Sequence, residues 1–208
     1  MRPLLASLVV ACGAPQVVAT APTCPTDRKL VLAGPEDVRG AVGCQTAVRV
    51  TIRTGAKLDL EPLRQLDSID GDLVIGPTVG IDEVQLAGLR TVGGTIHVGS
   101  NGSLRGLYLP RLERAGRIEI DGNVELAAIS LPRLAAVEGA MVITDNAAVE
   151  LIDAAALLSV GKELVISNHP ELTLLEMPRL VKDADIRIER APKLSANVIA
   201  QIGKPAAL

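Results

Sequence analysis

The sequence predicts a mainly β protein: a right-handed parallel β-helix, or solenoid, of about seven turns of 22–23 residues with short capping helices at both ends. The first observation behind this is a repetition, since residues 109–123 read LPRLERAGRIEIDGN and residues 131–146 read LPRLAAVEGAMVITDN. The second is its period. Each unit closes on two apolar residues separated by one, and the pairs Val50/Ile52, Leu73/Ile75, Ile96/Val98, Ile118/Ile120, Met141/Ile143, Leu164/Ile166 and Ile186/Ile188 follow at spacings of 23, 23, 22, 23, 23 and 22 residues. A fixed period of this length is the signature of stacked repeats. The third is composition: hydrophobic residues make up 48% of the 208 residues, yet there is no Trp or Phe, and Tyr108 is the single aromatic. A core of Leu, Ile, Val and Ala packs well when the same positions recur on successive turns, whereas irregular cores use large rings to fill their gaps.

The elements follow in chain order. MRPLLASLVVACGAP carries Arg2, a mostly apolar run from Leu4 to Ala11, then Cys12, the layout of a short secretion signal over residues 1–11. Val9-Val10-Ala11-Cys12 resembles the lipobox of bacterial lipoproteins, which implies that Cys12 becomes the first residue and carries a diacylglycerol on its sulfur. The alternative is an ordinary signal cut after Ala21, where Pro22 would stand awkwardly just past the cut. Residues 12–23, small and Pro-containing, then form a tether. Three cysteines are an odd number for an exported chain, and lipidation of Cys12 leaves Cys24 and Cys44 as a pair. Their bridge would contribute about 3 kcal/mol in the chain-entropy model; the alternative is two buried free thiols.

The folded domain is expected over residues 24–204, with 205–208 as a tail. GPEDVRGAVGC reads as a short front-capping helix, with Pro35 in the first turn and Glu36 and Asp37 near its positive end. In each following turn, LxxLxx(V/A)xGxLxI alternates with period two only at its end, so one short strand belongs there, between corners at Gly and Asn. Stacked turns place these strands side by side in parallel, one ladder per face, with the Leu, Ile and Val columns inward and a right-handed crossover. Burial of one aliphatic side chain contributes roughly 1.5–3 kcal/mol, so a lone turn cannot hold itself and neighbours share the core. Pro110, Pro132 and Pro178 occupy one slot in three units and mark it as a corner, because they lack the N–H that a central ladder position needs. At the back, Ser195 caps a helix that faces Val198, Ile199 and Ile202 one way, with Gly203 as stop and Pro205 beyond.

With a cysteine, a capping helix, a second cysteine and then turns such as LxxLxxIxGDLVI (63–75) and LxxLxxVGGTIHV (86–98), the chain resembles the receptor L domain. That family is the leucine-rich, right-handed β-helical module of insulin-type and epidermal-growth-factor-type receptor ectodomains. The resemblance covers residues 24 to about 204 and is specific for the fold rather than for a function. The sequence lacks the second L domain, cysteine-rich segment, transmembrane helix and kinase of those receptors, so what it implies is a lipid-anchored bacterial relative and not signalling.

Functional candidates are few. The formal charge is −3 and the arginines are scattered along the chain, which argues against nucleic acid and against a polybasic membrane patch. Membrane contact is expected through the lipid anchor alone, in the outer membrane if the cell has one, since Gly13 rather than Asp follows Cys12. Between the inward anchors lies one outward residue per turn: Thr51, Val74, His97, Glu119, Val142, Val165 and Arg187. Exposed valines there would leave apolar surface for an envelope or extracellular protein partner, although Val also suits any strand. Asn101, Asn123, Asn146 and Asn168 follow four successive strands and are expected to satisfy backbone groups at the corner. Asn101-Gly102-Ser103 fits a glycosylation sequon, to which a bacterial lipobox gives little weight. His97 and His169 lie on different sides of their turns without ligand-type neighbours, so no metal and no cofactor is expected. The expectation is a non-catalytic binding or interaction module. The alternatives are a purely structural envelope protein and a lyase-like enzyme drawing on Glu119, Asp121, Glu163, Asp185, Arg187 and Glu189. A sugar cleft without Trp or Phe would lack stacking platforms.

Overall fold

The computed structural model describes residues 24–181 and 185–202. The expected signal, Cys12, the tether, Gly203, Pro205 and the tail lie outside the described residues. The chain winds into a β-solenoid with two parallel sheets. The larger has twelve strands; its main path runs through Lys29–Leu32, Arg49–Ile52, Leu73–Ile75, Thr91–Gly99, Arg114–Asp121, Met141–Thr144, Glu163–Ser167 and Asp185–Glu189. All seven anchor pairs lie in register along it: Val50 faces Leu73, Leu73 faces Ile96, Ile96 faces Ile118, Ile118 faces Met141, Met141 faces Leu164 and Leu164 faces Ile186. An eighth rung precedes them, with Leu30 and Leu32 opposite Val50 and Ile52. It was not legible as a repeat because a helix, not a full turn, separates it from the next strand.

The spacing of 22 between Ile96 and Ile118 has a local cause. Val92 faces Ala115 and Thr95 faces Arg117, so Gly93 and Gly94 together oppose Gly116 in a β-bulge. Glycine is required at this bend by crowding between turns. A Cβ on Gly93 would fall 2.3 Å from the Asp70 carbonyl oxygen, and one on Gly116 would fall 2.3 Å from that of Gly93.

A second face carries its own ladder of five, whose strands the sequence alone does not locate: Glu83–Gln85, Gly106–Tyr108, Ala128–Ser130, Leu151–Asp153 and Leu174–Glu176. Each sends one residue inward (Val84, Leu107, Ile129, Ile152 or Leu175), too short a run for period-two alternation to show. Tyr108 lies outside this sheet over Gly106, whose Cβ would meet the ring at 2.3 Å. The Pro110, Pro132 and Pro178 corners are turns, as expected.

Between the sheets, successive turns stack like on like. Leu86, Leu109, Leu131, Ala154 and Met177 form one buried column, and Leu89, Leu112, Leu134, Leu157 and Leu180 another. Helix α1 (Pro35–Gly40) closes the front, burying Val38, while Asp37 Oδ2 accepts from the Ala33 and Gly34 N–H groups. Cys24 and Cys44 are disulfide-bonded across α1, with Cα atoms 5.0 Å apart. Helix α2 (Ala196–Gln201) covers the back, capped by the Ser195 hydroxyl, which accepts from the Val198 N–H.

Candidate functional site

The outer face of the larger sheet is the surface the repeat builds most regularly, because an outward residue at one position in a 22- or 23-residue turn must recur on the next rung. Thr51, Val74, His97, Glu119, Val142, Val165 and Arg187 are aligned in one column, and Val31 extends it at the front. At the rung spacing of a sheet, Thr51 and Arg187 stand about 29 Å apart. The valines differ from expectation in exposure. Val74, Val142 and Val165 are half-buried, whereas Val31, with a neighbour on one side only, is 61% exposed. Flanking rungs therefore cover most of each interior valine, and the face is less apolar than residue types alone imply.

Its centre is polar. Arg117 donates from Nε to Glu119 Oε1 at 2.6 Å. The His97 imidazole lies over Gly99, where a Cβ would come within 3.0 Å of Nε2. Its Nδ1 sits 3.6 Å from Glu119 Oε2 and 3.8 Å from Asp121 Oδ1, buried and without a hydrogen-bond partner. Protonated, this ring would face two carboxylates. A second charged group closes the back of the face, where Arg187 Nη2 lies 2.8 Å from Glu163 Oε2 and 3.1 Å from Asp185 Oδ2. The acidic residues thus fall into two sets whose nearest members, Glu119 and Glu163, stand two rungs apart, with Arg117 held by one set and Arg187 by the other. Among the described residues, no group of three or more His, Cys, Asp or Glu side chains is placed to hold a metal ion.

The asparagines form a different feature, on the corner that leaves this sheet. Asn101, Asn123 and Asn146 are fully buried. Asn123 Nδ2 donates to the Val98 carbonyl at 3.0 Å and to Asn146 Oδ1 at 2.9 Å, while its own Oδ1 accepts from the Asn101 N–H and Nδ2 at 3.2 and 2.8 Å. Thr78 extends the ladder forward through its hydroxyl, 2.9 Å from Asn101 Oδ1. At the back the slot belongs to buried His169, whose Nδ1 and Nε2 each lie 3.0 Å from a carbonyl oxygen, of Asn146 and of Ile143. Asn168, expected to satisfy backbone groups at this corner like the other three, is instead exposed beside the ladder and bonds Asp145 Oδ1. The sequon asparagine Asn101 is buried and hydrogen-bonded, which excludes it as a glycan acceptor in the folded chain.

Comparison with protein-family models, curated proteins and solved structures finds no match to this chain. Fold, register and surface chemistry are therefore what bears on its function.

Proposed function

We propose that the protein is an exported, lipid-anchored binding module of the cell envelope, similar to the receptor L domain, that engages an extended protein partner through the outward column Thr51 to Arg187. The carrying observation is the column itself. A row of intermixed aliphatic, polar and charged side chains, held in register along one parallel sheet, suits a partner lying along the solenoid better than a small molecule, which needs a cleft. The Cys24–Cys44 bridge supports export, because disulfides persist in oxidising compartments.

Two experiments test the parts separately. Val142→Glu with Val165→Glu places charge on the column without entering the core. A partner captured from the native envelope should lose at least tenfold in affinity, about 1.4 kcal/mol, while the melting temperature holds. Unchanged affinity would remove this face from consideration. For the anchor, Cys12→Ser should abolish lipid labelling and detergent-phase partitioning, and labelling that persists would sink the lipoprotein reading. Turnover of an acidic polysaccharide by the purified protein would favour the enzyme instead.

A further inference from the structure

The corners of the LPRL type gather arginines that are far apart in sequence. Each is closed by the same backbone bond, from the Leu112, Leu134, Leu157 and Leu180 N–H groups to the carbonyls of Leu109, Leu131, Ala154 and Met177. Arg111, Arg133 and Arg179 therefore leave one edge of the solenoid at equivalent positions, with Ala156 in the slot between, and all three are exposed. Arg64 joins them from an earlier turn: with Gln65, Ala87, Pro110, Arg111 and Arg133 it lines one shallow depression.

Arg64 meets Glu61 at 3.1 Å, whereas Arg111, Arg133 and Arg179 are left without such a partner. Most arginines elsewhere are paired, although exposed Arg53, Arg114 and Arg190 also meet no carboxylate among the described residues, each away from this edge's stack. Arg28, Arg39, Arg49, Arg90, Arg105, Arg117 and Arg187 each meet a carboxylate. The corner beside this edge alternates in sign, Arg90 lying 3.1 Å from Asp67 and 3.2 Å from Glu113. Arg111, Arg133 and Arg179 have no carboxylate within ion-pair distance among the described residues. Arg111 and Arg133 are stacked on adjacent rungs, about 4.8 Å apart at the backbone, where like charges repel. Two residues beyond Ala156 and Arg179, on the next two rungs, Leu158 and Val181 are joined by a 3.0 Å backbone hydrogen bond and are 40% and 46% exposed, while the equivalent slots beyond Arg111 and Arg133 hold Glu113 and Ala135. The edge thus combines uncompensated guanidiniums with large aliphatic side chains in water.

We propose that this edge docks the solenoid on an anionic phospholipid surface, the guanidiniums taking headgroup phosphates while Leu158 and Val181 enter the boundary with the acyl chains. A soluble polyanion would satisfy the arginines and leave the aliphatic pair wet. The inference does not rest on acylation of Cys12 or on the outward column. Its test is sedimentation of the full chain carrying Cys12→Ser, hence without acyl anchor, with vesicles of phosphatidylcholine alone or mixed with phosphatidylglycerol.

The expected result is binding to the mixed vesicles only, weakening as salt rises. Arg111→Gln with Arg133→Gln should lower the partition coefficient about thirtyfold, roughly fivefold for each arginine. The corresponding lysine pair should restore most of it. Arg39→Gln with Arg187→Gln, which removes paired arginines elsewhere, should change it by less than about twofold. Leu158→Ser with Val181→Ser should weaken vesicle binding several-fold. Each variant is checked for an unchanged thermal melt. The proposal is overturned if the mixed vesicles are not bound, if the control pair loses as much as the edge pair, if the serine pair binds vesicles unchanged, or if soluble polyglutamate is bound through these arginines while vesicles are not.

Discussion

Asn168 stands one residue short of the slot its type suggests, and the reason is conformational. Ser100, Gly122, Asp145, Asn168 and Arg190 all have φ between 53° and 64°, one to each turn, immediately before the ladder position. Asn and Asp tolerate that left-handed geometry better than most residues, so asparagine has two reasons to appear at this corner, and sequence alone does not separate them. Counting the period does: 23 residues beyond Asn146 is His169, and 23 before Asn101 is Thr78. The distinction predicts unequal costs. Asn123→Ala orphans the Val98 carbonyl and the Asn101 N–H inside the corner, at about 1–3 kcal/mol for each group left unpaired. Asn168→Ala removes one exposed side-chain bond, to Asp145 Oδ1, and puts alanine at a left-handed φ of 60°, which together should cost about 1 kcal/mol in denaturant melts, less than the two groups orphaned at Asn123. Equal losses would mean that the ladder contributes nothing particular. His169→Asn, which restores the residue type of the three preceding slots, should be better tolerated than His169→Ala.

At the scale of the strand, inward and outward positions were legible because only the closing segment of each turn alternates with period two. Ile143 and Val142 are adjacent, yet Ile143 is fully buried between Ile120 and Ile166, and Val142 is half-covered by the neighbouring rungs. Ile143→Ala should cost about 2–5 kcal/mol from lost transfer energy and the cavity together. Val142→Ala should cost a clearly smaller amount, and comparable losses would mean a register wrong by one residue. The strands of the second ladder could not be placed from sequence because each buries a single hydrophobic side chain. The arginine edge escaped the sequence reading because 22 or more residues separate neighbours that the fold sets side by side, so a chain with scattered positive charge carries a clustered one.

For the whole molecule, the two ends are closed unequally. In the front rung Leu30 and Leu32 are 3% and 1% exposed beneath α1, which the Cys24–Cys44 bridge fastens down. In the last described rung Ile186 and Ile188 are only half-buried, and Ile199 of α2 remains 39% exposed. A solenoid's stability is close to a sum over turns and their interfaces, so it opens first where the terminal interface buries least. Amide hydrogen exchange should therefore show protection falling from Arg114–Asp121 toward Asp185–Glu189, with the front rung Lys29–Leu32 better protected than the back rung. Replacing both cysteines by serine removes the constraint of a 20-residue separation and should cost about 3 kcal/mol. It should also reverse the gradient, since α1 then has only Val38, Ala41 and its neighbours to hold it against the first rung. If exchange at the front were unchanged in the reduced form, the helix alone would be the cap, and the disulfide would act on the unfolded chain without bearing on which end opens first.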